Sequence, residues 1–359
     1  MSKKMIIPFG PQHPVLPEPI HLDLVLDNEK VVDVLPSIGF VHRGLEKLVE
    51  KRDFQTYTYV AERICGICSY MHGMGYCQAI EAIMNIDVPP RALYLRVMGA
   101  EFSRIHSHLL WLGLCADAFG FESLFMHTWK LRETILDIME EMTGGRVIFS
   151  AVKIGGIKRD VDESLIGRVR AVLDDLEPQV RDLSTTFLES TSVASRLEGV
   201  GILSTEDAVL LGAVGPMLRA SGISQDMRCL GYAAYDQLDF EPIVDHGCDS
   251  MARCRVRIKE LFQSMNLIRQ VLNKLPSGPI DTPVKGNPDG EFFTRLEQPR
   301  GEVVYYVKAN GSKFLDRMRV RTPTFANLPA LVKILKGCDL ADVPILILTI
   351  DPCISCTER

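Results

Sequence analysis

The sequence predicts a mainly α fold with small β elements: a helical bundle with an N-terminal antiparallel β sheet and a small C-terminal β region. Three observations carry this reading. Residues 1–40 hold Pro8, Pro11, Pro14, Pro17 and Pro19, which rule out an early helix, and then alternate in polarity. Between residues 45 and 275, apolar side chains recur every three or four positions over long stretches. Beyond residue 291, short apolar runs return around an Asn-Gly turn. The chain reads as one domain over 1–359, with a β region at 1–40, the bundle at 45–275 and a C-terminal β/α region at 291–359.

The elements follow in order. Ile20, Leu22, Leu24 and Leu26 alternate with polar residues, and Asp27-Asn28 turns the chain into Val31-Val32, a hairpin with one buried face. Leu93, Val97, Ala100, Ile105, Leu109 and Leu110 mark a helix over about 90–118. A second covers 125–142 and stops at Gly144-Gly145. A third, over 162–190, mixes Val169, Val172, Leu173 and Leu176 with charges, and a fourth runs over 248–275. Residues 276–290 are rich in Pro and Gly and read as a loop. Strands are predicted over 303–308 and 318–320, with Asn310-Gly311 the hairpin turn between them. A short helix follows over 328–335, then a strand or buried helix over 343–350.

Composition excludes several function classes. With 47% hydrophobic and 24% charged residues the chain can bury a core without disulfides. Lys+Arg 40 against Asp+Glu 46 gives a formal charge of −6 with no basic stripe, which excludes nucleic acid as a partner. No run reaches the roughly 18–20 apolar residues needed to span a bilayer. Those at 109–114 and 343–350 are too short. Met1-Ser2-Lys3-Lys4 followed by Ile-Ile and Pro8 lacks the apolar core of a signal peptide, so membrane attachment is expected through partners.

Ten cysteines without a secretion signal point to reduced thiols. Cys77, Cys115, Cys229, Cys248, Cys254 and Cys338 show no paired spacing and read as small buried hydrophobes. The other four form two Cys-x-x-Cys pairs at opposite ends of the chain, Cys65-Gly66-Ile67-Cys68 and Cys353-Ile354-Ser355-Cys356. Two thiolates at this spacing can face one metal, with Gly66 easing a tight backbone turn. Four make a soft site for zinc, an iron–sulfur cluster, or nickel and iron. A single pair also fits a thioredoxin-type redox couple. Spacing alone does not choose among these.

The surrounding residues do. Glu62-Arg63-Ile64-Cys65-Gly66-Ile67-Cys68-Ser69-Tyr70-Met71-His72, together with Asp351-Pro352-Cys353-Ile354-Ser355-Cys356 three residues before the end, resembles the paired signature of nickel–iron hydrogenase large subunits. Gly10-Pro11-Gln12-His13-Pro14, His42-Arg43-Gly44-Leu45-Glu46-Lys47 and Tyr235-Asp236-Gln237-Leu238-Asp239-Phe240 resemble the quinone-site 49-kDa subunit of respiratory complex I, which has lost the cysteine pairs. Glu297-Gln298-Pro299-Arg300-Gly301-Glu302 has a counterpart there too, usually with Lys at the place of Arg300. A chain with both signatures, from Gly10 to Arg359, is similar to the energy-converting, ferredoxin-linked membrane hydrogenases of the Ech type.

That resemblance implies roles. Cys65 and Cys353 would be terminal nickel ligands, while Cys68 and Cys356 would bridge nickel to an iron carrying carbon monoxide and cyanide. Pro299-Arg300 matches the arginine that overhangs the metals, with Asp351 its ion-pair partner. Thr324 would give a hydroxyl to a cyanide, and His72 would hydrogen-bond a cysteine sulfur. Glu18, in Pro17-Glu18-Pro19-Ile20, falls where the family keeps its gating glutamate, although the motif departs from the Arg-Ile-Glu-Gly-His of soluble members. Glu46 matches a glutamate that helps bind a third metal, magnesium or iron. The partner ligand there is a histidine three residues after the last cysteine, and Arg359 stands at that place, so an Arg359–Glu46 pair is expected instead. Family precursors usually carry a C-terminal extension that is cleaved after nickel insertion, and this sequence is either the processed form or one without a tail.

The implied activity is reversible oxidation of dihydrogen to protons and electrons. The implied partners are a small subunit with a [4Fe–4S] cluster, a ferredoxin-like subunit, soluble ferredoxin and integral membrane subunits coupling to ion movement, at the cytoplasmic face of the membrane. Two rivals stand beside it. A quinone- or cofactor-reducing subunit of complex I type leaves the cysteine pairs idle, and a zinc-stapled scaffold holds one tetrahedral zinc.

Overall fold

The computed structural model describes residues 4–14, 16 and 18–359. The expectations placed on Pro17 and on Met1-Ser2-Lys3 fall outside the described residues. Strands Met5–Phe9, His21–Asp27 and Lys30–Ser37 form an antiparallel sheet in chain order. Leu22, Leu24 and Leu26 are fully buried, or nearly so, together with Ile20, and Asn28 takes the left-handed conformation at the turn. The buried face does not seek the bundle. It packs with Leu331, Ile334, Leu346, Ile347, Ile350 and Ile354, from the last helices of the chain. Alternation at the N-terminus thereby draws the C-terminal cysteines toward residues 9–20.

Helix Pro90–Ala118 is the spine of the bundle, opened by a proline at its first turn, where a missing N–H costs nothing. Helices Ser69–Met84, Glu122–Thr143 and Ser250–Lys274 lie against it. Glu163–Leu188, capped by the Asp162 carboxylate accepting from Leu165 N–H, covers the outer side. Gly99 lets this spine approach helix Ser69–Met84: a Cβ there would lie 2.2 Å from the Tyr70 ring.

The spine is polar within. Arg96, Glu101, Arg104, His106, Ser107 and His108 are all buried. Glu260 joins Arg219 at 2.7 Å and His108 at 2.8 Å, and Arg219 also reaches Glu297 at 2.7 Å. Arg228 bridges Asp226 at 2.8 Å and Glu101 at 3.3 Å. Arg104 donates to the carbonyls of Glu297 at 2.8 Å and Gln298 at 3.2 Å. Charges buried this deeply persist only as a closed network.

Two expectations change. Residues 199–249, read as bundle, hold only short helices and turns: Leu203, Ala208, Ala213, Met217 and Leu218 pack with the N-terminal sheet and the last helices, and Ala234, Tyr235 and Leu238 with the bundle. Strand Asp289–Gln298, read partly as loop, pairs with Gly301–Asn310 and through it with Leu315–Arg321. Its first five residues are exposed, Phe292 and Phe293 among them, which hid the alternation. Of the two readings open for 343–350, the buried helix is the one observed; its residues after Pro344 are all buried, a pattern without period that left strand and helix undivided.

The charge network generates a stability prediction. Glu260→Ala leaves His108 and one arm of Arg219 without their acceptor, and is expected to destabilise the fold by about 3–5 kcal/mol. A urea midpoint matching the parent chain would show that the network tolerates an open position.

Candidate metal centre

The first cysteine pair lies in the loop between helices Tyr57–Glu62 and Ser69–Met84. Main-chain N–H groups of Ile67 and Cys68 point at the Cys65 sulfur, at 3.2 and 3.5 Å. The loop is pinned by His106, whose Nε2 donates to the Ile67 carbonyl at 2.9 Å while Nδ1 accepts from Arg132 at 3.2 Å. Burial, with the nearby Arg132 charge, pushes His106 down to about 3, so it is neutral at working pH. Gly66 makes its turn without a left-handed backbone. What favours a small residue there is Val147, 3.3 Å from where a Cβ would stand.

The second pair follows helix Val343–Ile350, which ends when Asp351 turns left-handed at φ 58°. Cys353 N–H donates to the Thr324 hydroxyl oxygen at 3.0 Å, and the Thr322 hydroxyl donates to the Cys356 carbonyl at 3.1 Å. The chain then coils into Ile354–Thr357. Glu18 receives the Ile354 N–H, the Ser355 N–H at 3.3 Å and the Ser355 hydroxyl at 2.7 Å.

Folding brings the two pairs into one cluster. All four sulfurs lie within 4.8 Å of one another, and none of the four residues is more than 1% exposed. Cys65 and Cys353 approach to 3.2 Å, as do Cys68 and Cys356. Burial opposes ionisation of Cys68, but contacts with Cys353, Cys356 and Cys65 outweigh it and hold the thiol well below its usual range. Cys356 is pushed well above that range by burial and by the same neighbours. Sulfurs this close cannot all be thiolates without a cation among them, so the donor set fits a soft metal centre.

Arg300 occupies the two-residue turn between strands Asp289–Gln298 and Gly301–Asn310, directly after buried Pro299. Gly301, at φ 127°, lets this turn touch Gly215; a Cβ on Gly301 would sit 2.7 Å from Gly215 N. The guanidinium donates to Asp351 Oδ1 at 2.6 Å, to the Asp351 carbonyl at 2.7 Å and to Ser107 Oγ at 3.2 Å. Burial disfavours its charge, yet Asp351 and the cysteines Cys353, Cys68 and Cys65 keep it protonated. Asp351 Oδ2 is buried with no partner. His72 places Nε2 3.2 Å from the Cys356 sulfur and Nδ1 2.5 Å from the Tyr305 hydroxyl.

The structure therefore brings Cys65, Cys68, Cys353, Cys356, His72, Arg300, Asp351, Thr324 and Glu18 to one place, with Pro299 behind Arg300. Glu46 is engaged elsewhere. Its oxygens accept from Arg359 at 2.8 Å, Arg319 at 2.7 Å and Val320 N–H at 2.9 Å. Two guanidiniums fill the space a dication would need, so these residues do not fit a third metal. Of the six scattered cysteines, Cys77, Cys115 and Cys254 are buried, but Cys229 is exposed and Cys248 and Cys338 are half-buried. Sequence reasoning missed His106, Ser107, Tyr305 and Arg43, whose partners are distant in the chain.

Comparison with known proteins now decides the family. The family described as "Respiratory-chain NADH dehydrogenase, 49 Kd subunit" matches residues 118–285 and 283–359, and "Nickel-dependent hydrogenase" matches 43–115. The carbon monoxide-induced hydrogenase of Rhodospirillum rubrum is 42% identical over 98% of this chain and 99% of its own. The membrane-bound hydrogenase subunit alpha of Pyrococcus furiosus is 39% identical over 98% of this chain and 87% of its own. The chain belongs to the family of membrane-bound hydrogenase large subunits and complex I 49-kDa subunits. A subunit in the solved structure of the membrane-bound sulfane sulfur reductase, an archaeal respiratory membrane complex, shares this family fold. It superposes with a TM-score of 0.95 at 30% identity, covering 99% of this chain and 98% of that one. No helix among the described residues is long and apolar enough to cross a membrane.

The Glu46 contacts set a pH dependence. Burial opposes its charge, but Val320 N–H, Arg359 and Arg319 outweigh burial and hold the carboxylate below its usual range. A depressed folded pKa means the stabilisation is fully present above the unfolded value of about 4.3 and is lost as pH falls through the folded one. The stability gap between the parent chain and Glu46→Gln is expected to be constant at neutral pH and to close on acidification. A gap that widens in acid would contradict this assignment.

Proposed function

We propose that this chain is the catalytic large subunit of an energy-converting [NiFe] hydrogenase that reversibly oxidises dihydrogen to protons and electrons. The observation that carries the reading is a single sealed cluster of four cysteine sulfurs with the Arg300–Asp351 ion pair beside it. Cys65 and Cys353 would be terminal on nickel, and Cys68 and Cys356 would bridge to an iron carrying carbon monoxide and cyanide. The distances support that division, because the two first cysteines of each pair approach one another, as do the two second. When bound, such a centre supplies heterolytic cleavage of dihydrogen.

The residues of the chain would do the rest. A cysteine sulfur takes the first proton. Glu18, which accepts from the Ile354 N–H that follows Cys353, would receive it and pass it outward through Ser355. Arg300 would present its guanidinium to a cyanide, with Asp351 keeping it aimed. The Thr324 oxygen already accepts from Cys353 N–H, which leaves its hydrogen free to donate to a second cyanide. His72, accepting from Tyr305, would donate to the Cys356 sulfur and lower its basicity. Exposure of 1% or less at each of the four clustered cysteines suits a diatomic substrate better than a quinone ring.

Electrons would leave through a small subunit with a [4Fe–4S] cluster, then a ferredoxin-like subunit, to soluble ferredoxin. Integral membrane subunits would couple the reaction to ion movement, with this chain peripheral on the cytoplasmic face. The match of residues 118–359 to the 49-kDa family favours a second reading, a cofactor-reducing subunit without nickel and iron.

Metal analysis with infrared spectroscopy on the purified complex separates the readings. Equimolar nickel and iron beyond the clusters, with sharp carbonyl and cyanide bands, is the expected result. Zinc alone with an empty spectrum in matured material would overturn it. In such material Arg300→Lys is expected to keep the bands and lower turnover by about 10²-fold or more. Glu18→Gln should slow hydrogen–deuterium exchange by about 10²–10⁴-fold with band positions unchanged. Wild-type exchange in Glu18→Gln would remove Glu18 from the proton path.

A further inference from the structure

Arg43 makes contacts that none of the roles above uses. Its Nη1 donates to the carbonyl of Arg63 at 2.9 Å. Its Nη2 donates to the carbonyls of Ile64 at 2.8 Å and Ser355 at 3.0 Å. Its Nε donates to Val41 O at 3.2 Å, which fixes the plane of the fork. No side chain is involved on the accepting side. The accepting carbonyls stand immediately before Cys65, one residue further back, and immediately before Cys356.

We propose that Arg43 is a positioning residue that sets the spacing and orientation of the two cysteine pairs relative to each other. A carbonyl shares its rigid peptide plane with the next residue's nitrogen. Holding Ile64 O therefore orients the backbone at Cys65, and holding Ser355 O orients it at Cys356. These two cysteines belong to different close contacts, Cys65 with Cys353 and Cys68 with Cys356. One planar group thus registers both contacts, each between cysteines 288 residues apart in the chain. The segment around Arg43 reinforces the grip. Val41 N–H donates to the Glu358 carboxylate at 2.5 Å, and His42 Nδ1 donates to the Glu358 carbonyl at 2.8 Å. Residues 41–43 form a frame on which the C-terminal cysteine segment docks against the N-terminal one.

Only an arginine fits this task. Lysine carries its donors on a single nitrogen and cannot serve carbonyls on two segments in one plane. Arg43 is itself exposed, so its replacement opens no cavity in the core.

The inference rests on the four cysteines binding a metal, but not on that metal being nickel and iron. The full chain, reduced and free of metal, is therefore titrated with Co²⁺, whose sulfur-to-metal absorption reports how many thiolates bind. The parent chain is expected to bind with four. Arg43→Gln and Arg43→Ala should lose affinity by about 10–100-fold and show weaker absorption, with circular dichroism and urea midpoint little changed. Arg43→Lys should recover only part of the loss, and exposed Lys47→Ala none of the effect. If Arg43→Ala fails to fold, Arg43→Lys and Arg43→Gln decide. Parental affinity and spectrum in the Arg43 variants would overturn the proposal. A parent chain that takes no Co²⁺ through these thiols would remove the site itself, and that failure shows in the parent, not the variants. Parental cobalt binding without carbonyl or cyanide bands in the mature complex would refute the hydrogenase reading alone.

Discussion

Four thiols from opposite ends of the chain occupy one water-excluded space, and most of the molecule is arranged to bear that. Four sulfurs within 4.8 Å of one another cannot ionise together, and outside water they cannot spread their charge. A bound cation would resolve the conflict at the cluster. The chain must still deliver the sulfurs there against the entropy of closing a very long loop. Delivery is divided between the two three-stranded sheets and the spine. The N-terminal sheet packs on the last helices, the C-terminal hairpin lowers Arg300 onto Asp351, and His106 on the spine steadies the first cysteine loop.

The charged residues inside the spine follow from the same demand. Arg300 sits in a turn whose preceding carbonyls are held by Arg104, and Arg104 is paired with Glu101 at 3.3 Å. Glu101 also accepts from Ser264 at 2.6 Å and Tyr235 at 2.5 Å, and Arg219 ties Glu297 to Glu260. A hydrophobic replacement of equal volume can be as stable as such a network. What an apolar core lacks is a set of directional contacts that fixes the turn to a few tenths of an ångström. A catalytic constellation needs that accuracy more than it needs stability.

How much of this is readable in sequence divides along one line. Features encoded by neighbours in the chain were legible: the alternation of Ile20 to Leu26, the three- and four-residue spacing of the spine, and the Cys-x-x-Cys pairs with their flanks. Which cysteine meets which, and the partners of Arg43, His106 and Tyr305, arise only when distant segments meet. The motif around Arg43 does not reveal its partners, because it binds main-chain carbonyls, which every residue has. Strand Asp289–Gln298 was obscured for another reason. It carries exposed phenylalanines on a surface strand, so its polarity does not alternate. The Arg359–Glu46 pair was anticipated because an arginine at a metal-ligand position leaves a carboxylate needing a cation, and charge supplies what spacing does not.

Asp351 shows how local strain and site geometry are joined. A residue with a side-chain Cβ at φ 58° costs about 1–2 kcal/mol against the right-handed alternative. One of its carboxylate oxygens is also buried without a partner, a further penalty. Neither cost is needed to end a helix, since Gly or Asn would do so more easily. The left-handed turn, however, swings the Asp351 carbonyl and one carboxylate oxygen to the same side, where Arg300 Nε and Nη2 take both. Glycine would keep the turn and lose the carboxylate. Asparagine would keep the shape and lose the charge that holds Arg300 against burial. Aspartate alone meets both requirements, and its strain is that of a residue held in place by the guanidinium it orients.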